Sequence, residues 1–174
     1  MKTLIRDANL EDAKDLLEIY KPYVLNTAIT FEYDVPTLEE FSERIRKITE
    51  RYPYLVAEID GKIVGYAYAS TFKDRAAYDW CVETSIYLAG KARGNGIGRK
   101  LYEALEAKLN EQGILNANAC ITYADFEDKY HTNDSMYFHE KMGYKLVGRF
   151  HQCGYKFGRW YDMIWMEKML GEHK

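Results

Sequence analysis

The stretch WCVETSIYLAGKARGNGIGRKLYEAL, residues 80–105, sets two kinds of chemistry side by side. The first is a carboxylate, Glu83, inside a run of apolar, β-branched and aromatic residues that reads as a strand. Alternation along a strand puts Glu83 on one face with Cys81, Ser85 and Tyr87. A carboxyl among such neighbours has a raised pKa, which suits it to accept a proton directly or through a water. A strand glutamate on a solvated face fits the same letters. The second is the segment that follows, in which Gly94, Gly96 and Gly98 alternate with other residues ahead of a helical pattern.

Three phosphate-binding patterns compete for that segment. A P-loop needs GxxxxGK[ST], and no lysine followed by Ser or Thr stands there. A dinucleotide fingerprint needs GxGxxG, and the spacing GxGxG misses it by one residue. The pattern R-x-x-G-x-G is met by Arg93, Gly96 and Gly98. Positions without side chains let successive backbone N–H groups converge on one anion, and the following helix adds its positive end. Arg93, Arg99 and Lys100 supply counter-charge, so a pyrophosphate fits; a plain surface turn before a helix is the other reading. Just upstream, FKDRAAYDW carries Lys73, Arg75 and Tyr78. Two cations there suit a small dianionic or zwitterionic ligand, since an arginine fork matches a flat oxyanion. A solvated charge cluster is the alternative.

The elements that would position these groups follow from periodicity. Residues 2–6 read as a strand, and Asn9 caps a helix with Leu10, Ala13, Leu16, Leu17 and Tyr20 at helical spacing. Thr37 and Glu40 form a capping box before Leu38, Phe41, Ile45 and Ile48. Asp60-Gly61 between two apolar runs marks a hairpin. Leu101, Leu105 and Leu109 define the helix after the glycines, with Gly113 as its C-terminal cap. Residues 117–123 make a strand, SMYFHEKMGY a short helix stopped at Gly143, and 144–152 and 160–168 the last two strands. The order β, α, α, β-β-β, α, β, α, β-β predicts a mixed α/β sheet with helices on both faces, not a doubly wound fold.

Composition narrows the partners. The chain has 174 residues, 47% hydrophobic and 29% charged, with no repeat or Pro/Gly-rich linker, and reads as one domain over 1–174. A formal net charge of -3 without a block of like charges argues against nucleic acid, and no apolar stretch approaches a membrane span. Cys81, Cys120 and Cys153 are an odd number without CxxC, which reads as three buried thiols in a reducing cytoplasm, against a disulfide framework. The four histidines show no spacing that indicates a metal, so no metal is expected.

The glycine segment resembles the pyrophosphate loop of the GNAT acyltransferases. RYPYLVAEIDGKIVGYAYA, KDRAAYDWCVETSIYL and GYKFGRWYDMIWMEK are similar to stretches of the phosphinothricin N-acetyltransferase group, in the same order along nearly the whole chain. The resemblance implies the GNAT fold, with a twisted, mostly antiparallel mixed sheet. It implies acetyl-CoA as co-substrate and acetyl transfer to the primary amine of a small amino-acid-like acceptor, such as phosphinothricin, methionine sulfoximine or methionine sulfone. Attack on a thioester needs a base for the amine, a donor for the developing oxyanion and an acid for the thiolate. Carried over, Glu83 is the base and His139 the auxiliary acid. Ile86, Tyr87 and Leu88 contact acetyl-CoA mainly through backbone, with the Ile86 N–H at the oxyanion. The loop residues Arg93, Gly94, Asn95, Gly96, Ile97, Gly98 and Arg99 hold the diphosphate. Asn133 stands for an asparagine that reaches the pantetheine, although the string Asn133-Asp134-Ser135 is one residue shorter than the family's Asn-x-x-Ser. The acceptor is expected against Lys73, Arg75, Tyr78, Thr84 and Phe31, with Tyr155, Lys156 and Trp160 completing an aromatic wall. The stripe of Trp160, Ile164 and Trp165 reads as core or dimer contact instead. A homodimer is implied by the family. Other readings are a protein or peptide N-terminal acetyltransferase and a CoA-binding sensor without turnover.

Overall fold

The computed structural model describes residues 2–174. A seven-stranded sheet is built from β1 (Thr3–Asp7), β2 (Tyr54–Ile59), β3 (Lys62–Thr71), β4 (Cys81–Leu88), β5 (Asn116–Tyr123), β6 (Lys145–Lys156) and β7 (Arg159–Met169). The spatial order is β1-β2-β3-β4-β5-β7-β6, and β4–β5 is the parallel pair in an otherwise antiparallel sheet. Helices α1 (Ala13–Asn26) and α2 (Leu38–Thr49) cover one face; α3 (Ile97–Glu111) and α4 (Asp134–Lys141) cover the other. This is the expected element order.

Alternation along β2 and β3 divides two unlike layers. Tyr54, Val56 and Tyr66 pack toward Leu16, Tyr20 and Phe41, while Leu55, Ala57, Ala67 and Ala69 pack toward Leu101, Leu105 and Leu109. Small residues under the leucine-rich helix and tyrosines under the other let both layers interdigitate at close packing. Burial on both faces explains why these strands read as nearly continuous apolar runs.

Local signals hold where local chemistry decides. Thr37 Oγ1 accepts from Glu40 N at 3.1 Å and Glu40 returns to Thr37 N at 2.8 Å. Asp60 and Gly61 both have positive φ, 50° and 76°, as a tight hairpin of this twist requires. Two elements differ from expectation. Asn9 caps a single 3-10 turn, Leu10–Asp12, which then feeds α1. That helix continues through Pro22 to Asn26, because Tyr23 and Val24 bury beyond the proline. The last two strands run longer than 144–152 and 160–168 and turn at Phe157 and Gly158, φ 53° and 71°. A bulge between Phe150 and Gly154 breaks the alternation that would have revealed the full length.

Candidate active site

Strands β4 and β5 stay in register over Cys81–Glu83 and Asn116–Asn118 and then part. Beyond that point a slot of about 50 Å³ opens between them, walled by Ser85 to Tyr87, Ala119 to Thr122, and Tyr102, His131, Ser135 and His139. It shares Ile29, Ile86, Thr132 and Ser135 with a larger cavity of about 670 Å³ that runs past Leu88 and Phe138 to Arg93 and Gly94. A long channel leading from a glycine turn to a small slot fits a ligand with a phosphate head, an extended arm and a small reactive end.

Gly94 and Gly96 have φ of 79° and 74°, and a Cβ on either would meet open space. These residues are required for backbone shape, not for room. Gly96 is the N-cap of α3, so the N–H groups of Ile97, Gly98 and Arg99 begin the helix. Gly98 is different: a Cβ there would lie 3.0 Å from Phe138 Cε2 and 3.5 Å from Ile86 Cδ1. Its absence brings α3 against α4 and β4. Asn95 and Arg99 lie exposed on the turn. Arg93 donates from Nη2 to Tyr23 Oη at 2.8 Å, so its guanidinium is held over α1 at the mouth of the channel.

The parity of β4 singles out one backbone donor. Ala89 N donates to Val64 O on β3, whereas both Leu88 groups meet the Tyr23 hydroxyl, 2.5 Å from the carbonyl and 3.3 Å from the N–H. Strand alternation therefore sends Leu88 and Ile86 to the β5 edge and Tyr87 to the β3 edge. Past the end of the β4–β5 ladder, the Ile86 N–H looks into the slot. Of the expected backbone contacts, Leu88 meets the Tyr23 hydroxyl and Tyr87 pairs with β3, while Tyr87 lines the slot and Leu88 the larger cavity.

Glu83 lies on the opposite face of β4 from the core around α3, opposite Ser70 on β3 and Asn118 on β5. Burial raises its carboxyl pKa, and the nearby Lys73 ammonium partly opposes the rise. Lys73, Arg75 and Tyr78 are exposed on the β3–β4 connection, with Tyr78 edge-on to Phe72. Below, Tyr20, Tyr54, Tyr66, Tyr68 and Tyr87 line a cavity of about 170 Å³ that Arg44 closes through its fork to Glu32.

Contacts within the chain bear on four further expectations. Thr84 is buried on the α3 side, where its Oγ1 lies 2.9 Å from Tyr144 Oη, and it lines the slot and not the Glu83 face of β4. Asn133 donates from Nδ2 to Ala124 O at 2.9 Å and accepts at Oδ1 from His131 Nε2 at 2.7 Å; its amide ties the 124–133 loop, and Thr132 lines the channel. His139 is held neutral, because burial lowers its pKa from 6.5 to about 4. Its Nδ1 sits 2.7 Å from Ser135 O, an acceptor only, so Nδ1 carries the proton and Nε2 accepts from Tyr102 Oη at 2.8 Å. A neutral ring bonded at both nitrogens has no spare proton for a thiolate. The expected aromatic wall also divides. Phe31 packs on Gly154 and Lys156 reaches Thr30 O at 2.8 Å, while Tyr155 and Trp160 pair with each other facing outward.

Sequence reasoning missed Tyr102, His131 and Thr132; the abundance of tyrosine, 16 residues, pointed to a tyrosine-lined concave surface but not to its place. Tyr102 sits one position off the leucine stripe, and the tyrosines converge from four elements, so spacing gave no signal. Among the described residues no group of His, Cys, Asp or Glu is arranged to hold a metal, and no helix is long and apolar enough to cross a membrane.

Comparison with known proteins agrees with this geometry. The family described as Acetyltransferase (GNAT) domain matches residues 5–165. The chain is 32% identical over 159 residues to the phosphinothricin N-acetyltransferase of Streptomyces viridochromogenes, covering 91% of this chain and 83% of that one. It is 31% identical over 172 residues to the L-methionine sulfoximine/L-methionine sulfone acetyltransferase of Pseudomonas paraeruginosa, covering 98% and 96%. A crystal structure of the phosphinothricin acetyltransferase from Sinorhizobium meliloti in complex with AcCoA superposes with a TM-score of 0.89 at 38% identity, covering 98% of this chain and 90% of that one. With a glycine turn, an arm-length channel and a slot at parted strands all present, the chain belongs to the GNAT acetyltransferases and is an acetyl-CoA-dependent N-acetyltransferase.

Proposed function

We propose that the chain moves acetyl from acetyl-CoA to the primary amine of a small amino-acid-like acceptor, of the phosphinothricin, methionine sulfoximine or methionine sulfone type, by direct attack in a ternary complex. The observation that carries this reading is a half-buried carboxylate with a raised pKa, Glu83, beside Lys73 and immediately before the parting of β4 and β5. Glu83 to Ile86 spans about 10 Å of strand, which leaves room for an amine or a relaying water between carboxylate and slot. In this reading Glu83 takes the amine proton and the Ile86 N–H stabilises the oxyanion. Lys73 and Arg75 hold the acceptor's anionic end, with Tyr78 as their aromatic neighbour. The glycine turn with Arg93 and Arg99 grips the diphosphate. His139 acts through Tyr102, whose hydroxyl it orients at the slot. The names of the relatives support the acceptor class.

Trp80, Phe150 and Trp160 are exposed large aromatics and supply apolar area for a homodimer, which we include in the proposal. The three thiols are unpaired, which suits a reducing cytoplasm, but they are not the buried set expected: Cys120 and Cys153 are exposed and Cys81 is half-buried. The test is incubation with acetyl-CoA and methionine sulfoximine while free thiol is followed. Turnover releases CoA thiol in step with acceptor acetylation. Binding of acetyl-CoA without thiol release would instead identify a sensor.

A further inference from the structure

His131 is buried, only 3% exposed, on the wall of the slot between β4 and β5. Its neighbours fix its tautomer. Asn133 Nδ2 donates to Ala124 O at 2.9 Å, and Asn133 Oδ1 faces the Ala124 N–H at 3.4 Å, so the amide cannot turn over. The Asn133 oxygen therefore meets His131 Nε2 at 2.7 Å, and Nε2 must be the donor. With Nε2 as the donor, the corresponding tautomer carries a bare lone pair at Nδ1. Among the described residues, that Nδ1 is the buried side-chain nitrogen or oxygen left without a hydrogen-bond partner. Buried acceptors in folded proteins are paired, so an orphan nitrogen on a ring that lines a ligand slot points to a contact left for the ligand.

The rest of the site defines what that ligand must offer. The slot continues into the larger cavity through Ile86, Thr132 and Ser135. A thioester has no N–H or O–H of its own; the nearest donors on the same chain are the secondary amides of the pantetheine arm. We infer that His131 Nδ1 accepts a hydrogen bond from an amide N–H of that arm and so sets how deeply the thioester enters the slot. This makes His131 a positioning residue, distinct from Glu83 and from His139, whose two nitrogens are already engaged. The inference rests on the assignment of the channel to acetyl-CoA.

Two measurements test it on the full chain. The first is the affinity for coenzyme A, and for a phosphoadenosine diphosphate lacking the arm, of the wild type and of His131→Leu. Coenzyme A should bind the variant about tenfold more weakly, the loss of one buried hydrogen bond, while the armless nucleotide binds both proteins alike. Equal affinities for coenzyme A, or an equal loss for the armless nucleotide, would overturn the inference, as would a variant that only raises the acceptor KM. The second needs no substitution. In wild-type protein with ¹⁵N-labelled histidine, the unprotonated Nδ1 resonance of His131 should move toward the hydrogen-bonded range when coenzyme A is added. An unmoved resonance at saturating coenzyme A overturns the inference while leaving the channel assignment intact. Failure of the wild type to bind coenzyme A at all would remove both.

Discussion

His139 offers a quantitative test of how burial governs this site. It is 3% exposed and enclosed by the rings of Tyr102, Phe138 and Tyr144. Burial lowers its pKa from 6.5 to about 4, against the opposing bond to Ser135. In the unfolded chain the imidazole takes up a proton near 6.5; in the folded chain it refuses one until about 4. A depressed folded pKa contributes stability that is fully present above 6.5 and is lost as the pH falls toward 4. The whole contribution amounts to roughly 3 kcal/mol, of which about 2 kcal/mol disappears between about pH 7.5 and about pH 5. For a chain of this size that is a fall of about 4–8 °C in Tm. Urea unfolding of the wild type and of His139→Asn at both pH values isolates the effect. Asparagine keeps an N–H donor toward Ser135 O but does not titrate. The wild type should lose about 2 kcal/mol more than the variant over that interval. Equal losses would show that the ring is charged in the native state, and would reopen its role as the acid.

Other consequences are simpler to check. Glu83→Gln should lower kcat by about two orders of magnitude or more while calorimetry finds acetyl-CoA binding unchanged. Because burial raises the Glu83 pKa, the acid limb of kcat/KM should lie above the ordinary carboxylate range and be absent from residual Glu83→Gln activity. Arg75→Ala should raise the acceptor KM about tenfold or more with little change in the acetyl-CoA KM, measured by varying each substrate in turn. Gly98→Ala must displace the Phe138 ring, 3.0 Å from the new Cβ; thermal unfolding should show a loss of about 1 kcal/mol, and titration should show weaker acetyl-CoA binding.

What the sequence alone determined is what neighbouring residues decide. The Thr37–Glu40 capping box, the Asp60-Gly61 turn and the glycines before α3 depend on a few adjacent dihedrals and hydrogen bonds, and they stand where the letters put them. The alternation that set Glu83 apart from Val82 is equally local, and with the family resemblance it was enough to read the reaction class. Tertiary structure decided the rest. Whether a backbone amide is free depends on what crosses the strand: Leu88 met Tyr23 from α1, 65 positions away in the chain, while Ile86 lost its neighbour where β5 departs. Whether a histidine is an acid depends on its burial and on which partner fixes its proton. Spacing carries neither quantity, so His139 read as a proton donor and His131 was passed over. The letters name groups able to do chemistry; desolvation and long-range pairing determine which of them are charged, engaged or free.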